Sequence, residues 1–375
     1  MPRPVITPYQ FNLYTSQITD IYVALEDELF KQIANRLKTN PEHDKDYVLQ
    51  WQVEKVQQLR MFNLETIREL SIATGIAAST IRQTIEDVGN KTMQSVDDEV
   101  SGKYKPLPPP TELDLVLENY VKQAFLELDN YVNQTLITTT LGQGTVAIMY
   151  RKIVEQTTAQ VLAGNMTINQ AVADTVIKWA NKGIDTGFVD KGGGVWQLEQ
   201  YADTVIRNTV NKTYNELRLS RMDEYGIDLV LVNSYADPRP ACAEIQGNVC
   251  SMSNPSSDLK YPSIYEFGYG EPWGIRGVNC RHILYPFIDG LNTNNQIQYD
   301  EDEMRKQYKL SQQQRYYERQ VRKAKRSLNL AEELGDEKAI QKYKQLVRNR
   351  QTKVRDFVNE HDLARRYDKE RVIKS

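Results

Sequence analysis

Three cysteines and one of the three histidines fall within Leu229–Gly290. Cys242, Cys250, Cys280 and His282 make a formal Cys3His set, the donor types and count of a structural zinc site. A small, loop-rich domain with a modest core gains stability from such a staple. No pair shows the C-x2–4-C spacing of zinc ribbons, and free cysteines also occur as plain buried residues, so both readings stand. The same letters allow a second chemistry. Cys242 or Cys280 beside His282 could form a nucleophile–base pair, with Asp237 or Glu244 orienting the imidazole. A core thiol and a hydrogen-bonded histidine explain these residues equally well, so no catalytic residue is assigned.

The other chemistry is electrostatic. Residues 301–375 carry 21 Lys and Arg against 13 Asp and Glu, although the whole chain has a net charge of −3. An acidic body with a basic tail points to an anionic partner for the tail. Arg315, Arg319, Arg322, Lys323, Lys325 and Arg326 are the candidate contacts to DNA or to an acidic protein patch. A solvated helical hairpin with interspersed charges is the competing reading. DNA contact there would be nonspecific and salt-sensitive. Glu69–Gly89 has the outline of a helix-turn-helix, with a turn after Gly75. Its second helix offers only Arg82 as a base and carries Glu86 and Asp87, which a phosphate backbone repels. An ordinary packing unit is the better reading. Lys191 precedes Gly192-Gly193-Gly194 and no strand leads in, so the order needed for a phosphate loop is not met.

These residues need elements to position them. Asp228–Ser234 is the best strand in the chain. Asp237-Pro238-Arg239-Pro240 forces an extended or turning path. Cys242–Gly247 reads as one helical turn and Val249–Ser251 as a short strand. Asn279–Phe287 reads as a closing strand, in which Cys280, His282 and Leu284 share one face. Elsewhere helix follows helix. Apolar spacing predicts one from Ile18 to Leu37, ended by Asn40-Pro41, then Asp46–Phe62 and a third capped by Asn63 and stopped by Gly75. Further helices start near Thr111 and span 145–163, 167–181 and Trp196–Tyr225. Leu141–Gly144 and Gly164-Asn165 break them, and Thr167 is an N-cap. Gly335-Asp336 divides the tail into helices over 308–334 and 337–360. The expected fold class is mostly α with a small α+β domain. The expected organisation is an N-terminal arm and helical region over 1–100, a proline-rich linker at 101–110 and a helical domain over 111–227. An α+β domain over 228–290 and a basic helical hairpin over 291–375 complete it.

At 375 residues the chain exceeds one simple core. A charged fraction of 26% and a mean hydropathy of −0.59 describe a soluble protein. The chain has neither a basic-then-apolar start nor an apolar run of about 18 residues, which argues against secretion and membrane spanning. An odd number of cysteines in so long a chain is not a disulfide framework and fits a reducing cytosol.

Three short runs carry a resemblance: QGNVCS at Gln246–Ser251, GYGEPWGIRGVNCRH at Gly268–His282 and YPFIDG at Tyr285–Gly290. Together they resemble the tailed-phage minor capsid protein family, which is related to the Mu F-like head-morphogenesis proteins. The matching positions are Gln246, Gly247, Gly268, Tyr269, Gly270, Gly277, Asn279, Cys280, Arg281, His282, Pro286, Phe287 and Gly290. The resemblance implies a non-enzymatic structural protein, present in few copies, that supports head assembly or DNA packaging and delivery. It implies the portal protein, the major capsid protein or both as partners, with packaged DNA as a further candidate; no cofactor is expected, and no membrane partner. The location would be the virion, with the host cytoplasm during assembly. Mu F-like relatives tend to place a His before the final Cys. Here His282 follows Cys280, so the resemblance transfers no ligand set.

Overall fold

Leu229, Val230, Leu231 and Val232 form the central strand of the one three-stranded sheet among the described residues. The computed structural model describes residues 8–39, 47–105, 107–108, 110, 112–128, 145–163, 166–189, 192–256, 260–277 and 279–372. Residues 1–7, Asn40-Pro41, Leu141–Gly144, Gly164-Asn165 and Lys191 lie outside them, and the extended arm expected before Ile18 is helical from Pro8 onward. Described helices are α1 Pro8–Leu37, α2 Val48–Gln57, α3 Leu59–Val100, α4 Leu113–Leu128, α5 Thr145–Leu162, α6 Ile168–Lys182, α7 Leu198–Glu224, α8 Pro240–Ala243, α9 Glu301–Leu334 and α10 Glu337–Glu360. Strands are β1 Asp185–Val189, β2 Val195–Gln197, β3 Leu229–Val232, β4 Val249–Ser251 and β5 Leu284–Pro286. The fold is mostly α with a small α+β part, as the sequence predicts.

The chain forms two compact units, each drawn from separated segments. One is built on Ala78–Leu126 and Asp203–Gln312. It holds the sheet, ordered β4-β3-β5 and antiparallel throughout. Register pairs Val230 with Cys250 and Pro286, and Val232 with Leu284. Strand alternation then divides the side chains. Val230, Val232, Cys250 and Leu284 join a core with Cys242, Ile245, Ile264, Ile275 and Cys280. Leu231, Val249 and Phe287 pack on the other face.

The other unit is built on Thr19–Ala77, Glu127–Ala202 and Gln313–Ser375. Here α5 packs on α6, and α2 packs on α5. Thr167 caps α6 as expected. Its side chain accepts the Gln170 N–H, and the Gln170 side chain accepts the Thr167 N–H. Asp336 caps α10 by accepting the Ala339 N–H at 3.0 Å, directly after Gly335. That is the predicted division of the tail, and Tyr317 meets Phe357 across it with ring centroids 5.2 Å apart.

Four further expectations are corrected. Helix α3 runs unbroken through Asn63 and Gly75, so Asn63 is not a cap and Glu69–Gly89 holds no turn. Leu70, Ala73, Ala77, Ile81, Ile85 and Val88 are buried at continuous three- and four-residue spacing, which carries the helix past the glycine. Arg82, the candidate DNA contact there, lies against Glu118 and Glu86. Trp196 belongs to β2, and α7 starts at Leu198. The glycine-rich loop therefore connects the paired strands β1 and β2. Finally, β5 begins only at Leu284. Asn279 takes a left-handed conformation (φ 60°), so 279–283 is irregular and not a strand.

A methyl group at Gly75 would meet nothing within 4 Å. Glycine in a helix interior costs roughly 0.5–1 kcal/mol relative to alanine. Gly75→Ala should therefore raise stability by about that much in urea denaturation. A loss of stability would mean that the residue sits in a turn after all.

Candidate functional site

One face of α7 builds the loop that carries the chemistry. Asn211, Asn215 and Arg218 are buried at four- and three-residue spacing, and Arg221 is buried one turn further on. Arg218 donates from Nε to the Leu284 carbonyl at 2.9 Å and from Nη2 to Glu99 at 2.6 Å. Its guanidinium also lies over the rings of Tyr214 and Tyr285. Arg221 clamps Asp97 through two bonds of 2.7 and 2.9 Å. The Asn211 amide donates to the Cys280 carbonyl. Arg276 donates to the Asn211 side chain, to its carbonyl and to the His282 carbonyl. Asn233 accepts the Ile283 N–H at 2.9 Å. The irregular stretch 279–283 is thus held by side chains rather than by a ladder. Sequence reasoning missed Asn211, Asn215, Arg218 and Arg221. Their helical spacing on an amphipathic helix was the available signal.

Cys242, Cys280 and His282 converge inside this unit, all buried, with donor atoms within 4.8 Å of one another. Cys242 Sγ lies 3.8 Å from Cys280 Sγ, which lies 3.6 Å from His282 Nδ1. Cys250 is not part of the group. It sits on β4 opposite Val230, and burial pushes its thiol up to about 12. Gln246 fixes the imidazole. Its Oε1 accepts the Tyr235 N–H at 3.0 Å, its Nε2 donates to the Tyr235 carbonyl at 3.0 Å, and Oε1 lies 3.1 Å from His282 Nε2. The backbone of Tyr235 dictates which end of the amide is oxygen. Because that oxygen can only accept, His282 Nε2 carries the proton, and the lone pair on Nδ1 faces Cys280.

The electrostatics are asymmetric. Cys280 is held well below the usual thiol range, chiefly by the Cys242 S–H and against the effect of burial, with Arg276 adding to the pull. Cys242 is pushed up by its bond to Cys280 and by burial. Arg239 lies 3.6 Å from the Cys242 sulfur. Of the two acids proposed to orient His282, Asp237 instead meets Arg281 at 3.4 Å. Glu244 is exposed, and Gln246 takes the orienting role.

Most of the remaining motif positions sit at turns or in packing contacts. A Cβ on Gly277 would stand 2.0 Å from the Glu271 carbonyl oxygen, so only glycine fits. Gly268 has φ 66°, and a Cβ there would strike the Trp273 ring. Tyr269 stacks edge-on to Tyr265, and Phe287 packs on Tyr261. Gly247, Gly270 and Gly290 stand at turns, and Pro286 ends β5.

The tail bases divide into two groups. Arg322 binds Glu199 at 2.8 Å and the Lys369 carbonyl at 2.7 Å. Lys325 binds the Glu370 carbonyl at 2.8 Å. Arg326 is 12% exposed and lies among Glu26, Asp27 and Glu199. Arg315 is half-buried, while Arg319 and Lys323 are exposed. An acid-free run of exposed bases lies on α10. Residues 338–355 hold seven bases and no acid, and Lys338, Lys342, Lys344, Arg348, Lys353 and Arg355 are exposed.

Comparison with known proteins gives a consistent picture. A family model described as "Phage minor capsid protein 2" matches residues 6–359. A "Structural protein" of Lactococcus phage LL-H is 34% identical over 362 residues, covering 94% of this chain and 98% of that protein. A "Structural protein" of Lactococcus phage mv4 is 44% identical over 120 residues, covering 32% of this chain and 98% of that protein. No solved structure matches significantly. No described helix is long and apolar enough to cross a membrane.

Glu26 supplies a test of the packing around Arg326. Burial raises its carboxyl from 4.5 to about 7, against the pull of Arg326 and the Ile184 N–H. Its contribution to stability is therefore complete below pH 4.5 and is lost as pH rises through about 7. Glu26→Gln should match the wild type near pH 4.5 and exceed it at pH 8 by up to about 3 kcal/mol. Denaturant midpoints across this range check it. Equal stability at pH 8 would show that Arg326 fully neutralises the carboxylate.

Proposed function

We propose, because this chain belongs to the phage minor capsid protein 2 family and so to the structural proteins of the virion, that it is a low-copy head component. In this reading it docks on the portal or the inner capsid and assists head assembly or DNA packaging and delivery. The basic face of α10 carries the reading. Seven bases without an acid over 338–355 make a surface complementary to acidic portal or capsid patches. No catalytic step is included, since the Cys280–His282 pair is buried away from any substrate. The family glycines and the side-chain clamps hold a loop-rich surface in one shape, as docking requires.

Quantitative mass spectrometry of nuclease-treated, DNA-filled particles tests this. The expected result is a fixed ratio to the portal protein, near or below unity. Presence only in immature heads would make the chain an assembly factor. Absence from both particle types would sink the reading.

The same α10 face favours a second reading, in which the tail binds packaged DNA without sequence preference. Release of counterions would make such binding fall steeply with salt. Lys342→Glu, Lys344→Glu and Arg348→Glu combined should then weaken DNA retention by the full chain by more than about tenfold at low salt. Retention unchanged by the triple substitution would leave protein docking as the role of the face.

A further inference from the structure

We propose that Cys242, Cys280 and His282 form a three-ligand site for a zinc-class divalent cation, bound through the two sulfurs and the imidazole Nδ1. This goes beyond the role in the particle and does not rest on it.

The spacing of the donors is the first ground. Zinc binds thiolate sulfur at about 2.3 Å and imidazole nitrogen at about 2.0–2.1 Å, in tetrahedral geometry. Those bond lengths fix the edges of the tetrahedron at about 3.8 Å between sulfurs and about 3.5 Å between sulfur and nitrogen. The corresponding distances here are 3.8 Å and 3.6 Å. The third pair, the Cys242 sulfur and the imidazole, lies within 4.8 Å, so it would have to close by at most about 1.3 Å to reach the tetrahedral edge of about 3.5 Å.

The second ground is the imidazole. A ligating histidine needs its free nitrogen turned to the metal and its N–H held by an acceptor behind it. Gln246 Oε1 is that acceptor at 3.1 Å, and Tyr235 fixes the amide through two backbone bonds. A histidine that only filled space would not need its tautomer set in this way.

Charge is the third. Two buried thiolates and a dication sum to zero, which the apolar surroundings of Val230, Ile245 and Ile275 favour. Arg239, 3.6 Å from Cys242 Sγ, supplies a donor to a ligated sulfur. The ligands come from α8 and from the irregular stretch before β5, 38 residues apart for the two cysteines. An ion there ties a helical turn to a segment that has no ladder of its own. No fourth His, Cys, Asp or Glu among the described residues joins the group, so the protein supplies three ligands.

The competing state is metal-free. In it the Cys242 S–H donates to Cys280 and the His282 Nε2–H to Gln246. Full-length protein, expressed with added Zn2+ and purified under reducing conditions without chelator, separates the two. Elemental analysis should find about one zinc per chain. Co2+ in its place should give thiolate-to-metal charge transfer and the visible bands of a tetrahedral site. Cys280→Ser should lose the ion, and Cys250→Ser should keep it. Since a buried substitution can unfold the chain, the wild type carries the decisive reading. A Zn2+-dependent rise in melting temperature, reversed by chelator, supports the site. Less than about a tenth of an equivalent of zinc with no such shift would overturn it. Equal loss of metal in Cys250→Ser would overturn this ligand set.

Discussion

The guanidinium of Arg218 is the interaction on which the first unit depends. It is fully buried, yet it meets Glu99 and Ser95 on α3 and the Leu284 carbonyl on β5, with Tyr214 and Tyr285 beside it. A charge taken out of water costs several kcal/mol unless its donors are used, and here they are. The carboxylate of Glu99 makes the cation still harder to lose. Arg221, one turn further along α7, repeats the device with Asp97 and Glu224. Two helices and a strand are therefore fixed by polar bonds of definite direction. Apolar contacts alone would leave their rotation and register free. Once α7 is fixed, Asn211 and Asn215 come to face the segment that brings in Cys280 and His282.

This arrangement separates two kinds of chemistry in the molecule. The thiol–imidazole group is interior and rigidly oriented. The surplus positive charge is exposed and carried on a regular helix. Neither requires a cleft.

Much of this was legible in the sequence, and what was not has physical causes. The strand at Leu229, the cap at Thr167 and the division at Gly335 follow from local propensity and backbone freedom. The convergence of Cys242, Cys280 and His282 was visible as a set of residue types. Cys250 was not separable from them, because β-strand alternation puts it in the same apolar core without bringing its sulfur to the group. Gly75 misled because a turn signal was weighed against local context alone. The apolar spacing on both sides is in phase, and that favours the helix. The tail bases misled for a different reason. Their partners Glu26 and Glu199 are more than a hundred residues away, so the sign of the charge could be read but not which cations were already engaged.

The proline-rich stretch after α3 has a consequence of its own. Proline offers carbonyls and no N–H, so such a segment depends largely on donors from elsewhere. Arg221 provides them to Leu107 and Pro108, and Tyr225 accepts the Leu107 N–H. Leu107 and Pro108 are therefore tied to the C-terminal end of α7. A substitution at Arg221 would thus release two carbonyls of this segment as well as Asp97.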